Sequence, residues 1–475
     1  MNEFLNFTII GVVTGAAFAI AASGLVLTYT TSGVFNIAHG AIGMLFAYLY
    51  WQLVPGWHWN IVLAALVVVL VLAPLFGAIV EVTIMRRVRD QGLAITLVVT
   101  IALLVLLIFV ADWAWKGQVK AAPAFFGHSG WHLDSKVFVS WHETITIFLA
   151  GGMALFLRLL LFRTRSGIAM RAVVDNRDLA ALNGARPAWL GTFSWALGAG
   201  TAALAGILIA PILDNLSVLP LTFLVIYAYG AAILGRLRNL PLTFAGAMLL
   251  GLSYSYLVGY LPQNSFFDST PIQGLRLSLP VLLMIVVLLV MRQGTIEGAR
   301  VRPWRESVDV SPLWSSVVFG VLLVVGVAIS VQFLGPGDMV DVGLGLVYAV
   351  IVLSLVPLAG WGGQVSLCQM TFAGLGAFAM YRVGGGSALG LLAAIGLAGA
   401  AGAVIALPAL RLRGLYLALL TLGFAFAMDN MFFPSSTAFT FGGSVHINRP
   451  EILGIHLTSD ASFVVFLSVL FSALC

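Results

Sequence analysis

Long apolar runs follow one another along this chain with short polar breaks between them, and they nowhere alternate with a period of two. At roughly 20 apolar residues per bilayer crossing, the pattern predicts spans near 4–31, 36–52, 59–85, 93–111, 139–161, 188–210, 221–235, 240–260 and 278–293. A polar stretch from Arg292 to Pro312 interrupts the series, and further spans follow near 313–334, 341–359, 364–382, 386–408, 414–433 and 461–475. The predicted organisation is a first transmembrane module (1–293), a cytoplasmic linker (294–312) and a second transmembrane module (313–475). Continuous runs exclude a barrel. Because only helices or closed barrels satisfy the backbone in lipid, the expected fold is an all-α, polytopic helical membrane protein.

The composition agrees. Of 475 residues, 61% are hydrophobic and only 9% charged, too few charges to keep a soluble domain of this size in solution. The net charge of +5 points to the inner leaflet. No basic patch with interleaved aromatics points to nucleic acid. Cys368 and Cys475 make no disulfide framework. Met1–Phe7 lacks the positive start of a cleavable signal.

Charge sets the orientation. Cytoplasmic loops near span ends are rich in Lys and Arg. If every span crosses, Arg86/Arg87/Arg89, Arg163–Arg186, Arg236/Arg238, Arg292–Arg305 and Arg411/Arg413 fall on one side, and the N-terminus is external. The segment from Asp112 to His142 is then external despite three lysines, and its tryptophans suit an interfacial belt.

The stretch Arg163–Pro187 is charged, helical in pattern and too polar to enter lipid. It reads as one amphipathic helix closed by Gly184, with Ala169, Ala172, Val173, Ala180 and Ala181 on a small face. A face built of alanine binds lipid weakly, so this segment is expected to meet a protein partner on the cytoplasmic side.

The two modules look alike. A shift of 330 positions (345 − 15) lays Gly15 on Gly345, Leu25 on Leu355, Gly33 on Gly363 and Ala47 on Ala377. Two parallel pseudo-repeats frame a central pathway in many transporters. Both modules lose their apolar character at the same place, at Thr28–Gly40 and at Gly360–Gln369, with Asn36 aligned to Ser366 and His39 to Gln369. Thr30, Ser32, Asn36, His39, Gln364, Ser366 and Gln369 are the candidate pathway residues, because polar side chains at membrane depth usually face a bundle interior or a wet cavity. Interhelical hydrogen bonding is the competing reading, and it stays open here. Glu81 is placed at the cytoplasmic interface beside Arg86. His58, His128, His132, His142, His446 and His456 are read as solvated or interfacial, with His128 and His132 close enough for a weak metal-site reading.

No phosphate-binding loop, zinc motif or nucleophile elbow is present. The chain is therefore expected to be neither an enzyme nor a binder of cofactors.

These residues resemble the permease pair of branched-chain amino-acid ABC transporters, LivH-type and LivM-type, joined in one chain. The LivH-like matches are Gly15–Met44, Arg163–Ala185 and Ala231–Leu252; the LivM-like ones are Gly343–Phe378 and Leu410–Ala427. The chain departs from the family at Gly235–Pro241, where Arg236 and Arg238 are added, and at Ser366–Met370. No second Arg163-like loop is present, so the expectation is either that the sequence is a piece of a longer protein, its second module cut short, or that a further permease chain supplies the loop.

The resemblance implies a permease in the inner membrane that imports a small-molecule substrate received from an extracytoplasmic solute-binding protein. Two cytoplasmic ABC ATPase subunits would use ATP and Mg. Arg165, Gly167, Arg171, Ala172, Asp175, Asn176, Ala180, Ala181 and Gly184 would form the ATPase coupling site. Few charges and several Thr, Asn, His and Gln side chains suit a zwitterion or a neutral amide, so branched-chain amino acids and urea or short amides are both compatible. An ion-coupled secondary transporter is the remaining alternative, but it leaves the cytoplasmic helix without a task.

Overall fold

The computed structural model describes residues 2–127, 129–134, 137–213, 215–223, 225–260, 270–290, 312–384, 386–412, 414–434, 449 and 459–475. Residues 294–311 of the linker, Arg413, His128, His446 and His456 lie outside the described residues. Ten helices among those described are long and apolar enough to cross a membrane. The chain is an all-α polytopic membrane protein that divides into two units, 1–268 with 276–291, and 269–275 with 292–475.

In the first unit, α1 (Asn2–Ser32) is followed by a non-helical break and α2 (His39–Trp51). The next span runs from Ile61 to Val88 as α3 (Ile61–Val67), α4 (Ala73–Val80) and α5 (Arg86–Val88), joined by wider π-helical turns at Val68–Leu72 and Glu81–Met85. Then come α6 (Leu93–Trp115), a hairpin of β1 (Gly130–Asp134) and β2 (Val137–Ser140), and α7 (Trp141–Arg163). Two short helices, α8 (Arg165–Asp175) and α9 (Arg177–Leu182), lead into α10 (Pro187–Ile212). The unit continues with α11 (Val218–Phe223), α12 (Val225–Leu234), α13 (Leu240–Tyr260) and most of α14 (Thr270–Val290).

The centre of this unit is α1, 83% buried along its apolar window, whereas α6 and α7 are 28% and 22% buried. Small residues explain the difference. A Cβ on Gly15 would meet the backbone of Ala247 and Met248, and one on Gly251 would strike Gly11 and Gly15. The α1 and α13 backbones therefore approach closely, as membrane helices do through small side chains. The large apolar residues point the other way: Val98, Leu106 and Phe109 of α6 are exposed, the face expected for lipid.

The chain around Lys120 and Leu216 folds back over α2. Tyr48 donates its hydroxyl hydrogen to the Leu216 carbonyl (3.1 Å), and Trp115 donates its indole N–H to Gln52 (3.1 Å). His142 is not solvated, as the pattern predicted, but 3% exposed. Its Nδ1 accepts the Phe125 N–H (3.3 Å), so Nε2 carries the proton and donates it to the Leu208 carbonyl (3.0 Å). A partner sixty-six positions away in sequence leaves no local signal.

The second unit holds α15 (Leu313–Ser330), α16 (Pro336–Leu353), a π-helical turn at Val356–Trp361, α17 (Gln369–Val383), α18 (Ala388–Ala409), α19 (Leu415–Ala427) and α20 (Asp460–Leu474). Its elements follow the order seen from α1 to α7. Under the 330-position shift, α2 and α17 begin at the aligned residues His39 and Gln369. The breaks before them carry left-handed backbones at Gly33 (φ 73°) and Gly363 (φ 61°), a conformation that only glycine adopts without steric cost. A serine side chain caps the start of both α7 (Ser140) and α20 (Ser459).

The turn between α12 and α13 holds two consecutive left-handed residues without glycine's freedom, Arg236 (φ 51°) and Leu237 (φ 55°). Leu237 is fully buried and anchors the turn, while Arg236 is exposed. Each such residue costs about 1–2 kcal/mol. Arg236→Gly should therefore raise the stability of the detergent-solubilised protein by about 1 kcal/mol, read as a higher Tm. A lower Tm would mean that the arginine side chain contributes more than the backbone strain costs.

Candidate functional site

Two features of the first unit stand apart from simple membrane packing: the break between α1 and α2, and the α8–α9 segment.

The break is held by polar groups in an otherwise apolar bundle. The Gly33 N–H reaches the Tyr29 carbonyl (3.0 Å), and the Val34 N–H reaches Ser32 Oγ (3.2 Å). The His39 N–H reaches the Asn36 carbonyl (3.3 Å), and Tyr229 of α12 donates its hydroxyl hydrogen to the Ile37 carbonyl (2.7 Å). Of the predicted pathway residues, Thr30 and Ser32 spend their hydroxyls on their own helix, on Val26 (2.7 Å) and Thr28 (2.6 Å). Thr31 in turn meets Ser194 of α10.

Asn36 and His39 differ. They are 2% and 1% exposed, yet among the described residues Asn36 Oδ1 and both ring nitrogens of His39 have no hydrogen-bond partner of good geometry. The ring lies close enough to the Ala21 backbone for a weak interaction with it. A buried polar atom without a well-formed hydrogen bond costs about 1–3 kcal/mol. His39 lines a small cavity with Gly43, Met44, Ala205, Gly206 and Val225. Close backbone approach narrows the cavity, for a Cβ on Gly206 would collide with the Gly43 backbone.

In the second unit, Gln364 and Ser366 lie within the corresponding break and Gln369 opens α17. Ser366 is buried against Cys368 (Oγ–Sγ 3.3 Å), and the Leu367 N–H is caught by Thr421 (3.0 Å). Tyr229 and Thr421, which fasten the two breaks, were not singled out in the sequence. Each sits in an apolar helix far from the break it holds.

The α8–α9 segment is not the single helix its pattern predicts. Asn176 leaves the helical conformation (φ −154°), and its side chain caps α9 by accepting the Leu179 N–H (2.9 Å). Thr164 caps α8 through the Gly167 N–H (3.0 Å). The kink redistributes the faces. Gly167, Met170, Val173 and Ala180 are buried, whereas Ala172 and Ala181 are exposed, so the predicted alanine face is split. A Cβ on Gly167 would strike Leu160 and Leu161, which seats α8 tightly on the end of α7. Arg171 lays its guanidinium over the Phe162 ring, 4.5 Å from the centroid. Asp175 and Arg165 are exposed, and Gly184 (φ 85°) closes the segment. The outer face is more apolar than the sequence reading held: Ile168, Val174, Leu179 and Leu182 are 53%, 38%, 56% and 85% exposed.

Glu81 is fully buried and pairs with Arg89, with Arg86 also within electrostatic reach. Arg86 is exposed and donates to Thr192 of α10 (3.0 Å).

A helical bundle with a broken, polar span at its core and a charged appendage outside it defines a membrane transport permease. The chain belongs to the family described as branched-chain amino acid transport system / permease component, whose model matches residues 7–327. It is similar to the high-affinity branched-chain amino acid transport system permease protein LivH of Escherichia coli K12, 26% identical over 309 residues, 62% of this chain and 95% of the relative. The probable LivH permease of Methanocaldococcus jannaschii is 27% identical, over 58% of this chain and 87% of its own length. The permease protein BraD of Pseudomonas aeruginosa is 25% identical, over 54% of this chain and 86% of its own. No solved structure matches.

His39→Leu separates transport from packing. Removing two unpartnered nitrogens should leave the bundle as stable or steadier by about 1 kcal/mol, while uptake by the assembled transporter falls at least about tenfold. Loss of stability with normal uptake would identify His39 as a packing residue.

Proposed function

We propose that this chain is the membrane permease of an ATP-driven importer for branched-chain or other small hydrophobic amino acids. A solute-binding protein delivers the substrate from outside. Two separate cytoplasmic ATPases bind ATP and Mg and supply the energy. The permease family and the names of the relatives support the solute class. A neutral, nearly uncharged cavity wall suits a substrate with an apolar side chain, and the unpartnered Asn36 and His39 atoms offer hydrogen bonds to its polar groups.

The observation that carries the reading is the exposed apolar face of α8–α9, set among charges. Ile168, Leu179 and Leu182 project from a segment that also presents Arg165, Asp175 and Asp178. A protein partner buries such a surface; free in water it has no use. In this reading Arg165, Ala172, Asp175, Asn176, Ala181 and Gly184 meet the ATPase, while Gly167, Arg171 and Ala180 seat the segment on the bundle. Because α8 packs on α7, α1 and α10, a push on it reaches the helix that leads into the break. Switching the break between outward and inward access is then a shift of packed helices. The arginines at the α5, α8–α9 and α12 ends support a cytoplasmic placement of this face and an external N-terminus.

Leu182→Asp tests the dock. A side chain 85% exposed can change without harm to the fold. The variant should insert normally but bind the ATPases at least about tenfold more weakly, a loss of about 1.4 kcal/mol, measured by co-purification and titration. Unchanged ATPase binding would remove the support for this surface as the dock.

A further inference from the structure

The outer face of α7 holds a charge that neither the pathway nor the dock uses. Between Glu143 and Arg163 the span carries a single charged residue, Arg158. It stands five positions (163 − 158) before the end of the helix at Arg163, about 7.5 Å inside the span at the helical rise. Charged residues within spans usually turn to the bundle interior. Arg158 does the opposite: it is exposed, in the company of Leu155 (59% exposed), Phe156 (47%) and Leu159 (48%). Among the described residues it has no acidic partner. A long side chain placed there lays its apolar stem along the helix and carries the guanidinium toward the headgroup level.

A second guanidinium converges on the same place. Phe162 follows Arg158 by one helical turn and shares its face, and Arg171 of α8 lies over the Phe162 ring, 4.5 Å from the centroid. Gly167 fixes this approach, because its missing side chain lets α8 touch the backbone of Leu160 and Leu161. Arg171 Nε is buried and has no hydrogen-bond partner among the described residues. Asp175 stands one turn beyond Arg171 and is exposed, but the two form no ion pair. Arg163 and Arg165, both exposed, flank the junction. Toward the middle of the span the outer face of α7 is open, for a Cβ on Gly151 or Gly152 would meet nothing within 4 Å.

Two cations without counter-ions, beside an apolar strip that runs into the membrane, complement a ligand with an anionic phosphate at the headgroup level and acyl chains below it. We propose that the junction of α7 and α8 binds an anionic phospholipid, with Arg158 and Arg171 on its phosphate and the strip 151–159 along its acyl chains. Guanidinium groups bind phosphate oxygens through paired N–H donors, and basic pockets between helices at the membrane surface hold acidic headgroups in this way. A soluble partner seated on Ile168, Leu179 and Leu182 does not compete for Arg158, whose neighbours on α7 face lipid. A lipid held there ties α8 to α7. The inference stands apart from the solute and from the ATPases.

The test titrates the whole purified chain, in a non-ionic detergent, with phosphatidylglycerol, phosphatidylcholine or inorganic phosphate. Binding is read by native mass spectrometry and by the shift in Tm. Phosphatidylglycerol should bind at least about tenfold more tightly than phosphatidylcholine. Arg158→Gln and Arg171→Gln should each weaken phosphatidylglycerol binding about fivefold and leave phosphatidylcholine unchanged. Arg87→Gln, at an exposed arginine of α5, should change neither. Equal affinity for the two lipids, or a preference that survives both substitutions, would overturn the proposal. So would inorganic phosphate that binds as tightly as the lipid, which would make the junction a site for a free anion. If Arg158→Gln fails to assemble, Arg171→Gln decides: a weakened preference supports the site and an unchanged one removes it.

Discussion

A helix that breaks inside a membrane must find partners for its freed backbone groups without help from water. Everything distinctive in the first unit follows from how that is done between α1 and α2. Ser32 caps one N–H, Tyr229 reaches across from α12 for the Ile37 carbonyl, and the turn at Gly33 closes on Tyr29. With the backbone cared for, the side chains of Asn36 and His39 are left over, buried and unbonded. In the proposed reading these atoms serve the passing substrate.

Packing then determines what can move. The helix that enters the break is the one most enclosed, held by glycine and alanine contacts with α13 and α10. Such contacts fit in few ways, so the bundle passes from one arrangement to another rather than deforming gradually. The α8 helix sits at the foot of this core, wedged on α7 by Gly167 and touching α1 and α10. In the proposed reading, a push on α8 therefore has a short mechanical route to the break between α1 and α2.

The spans were legible because hydropathy alone determines them, and the breaks were legible because Gly, Ser, Thr and Asn interrupt otherwise apolar runs at matching places. What sequence could not reveal was which span is central: α1 and α6 are both apolar, and only the spacing of small residues separates them. Partners distant in sequence were also hidden, as with Tyr229 and Ile37, or His142 and Leu208. The kink at Asn176 did leave a trace. Asn followed by Arg-Asp is a helix-start signal, but it lay inside a stretch whose overall pattern reads as continuous. Missing it placed Ala172 and Ala181 on one inner face with Ala180, and hid the exposed leucines on which the proposed dock rests.

The central claim is that ATP hydrolysed by partner subunits drives a small hydrophobic amino acid through this bundle. Uptake by proteoliposomes holding the whole assembly, with labelled leucine and labelled urea compared in the presence and absence of ATP, tests it most directly. The account predicts ATP-dependent accumulation of leucine and little of urea. Leucine uptake indifferent to ATP, or accumulation of urea in its place, would contradict it.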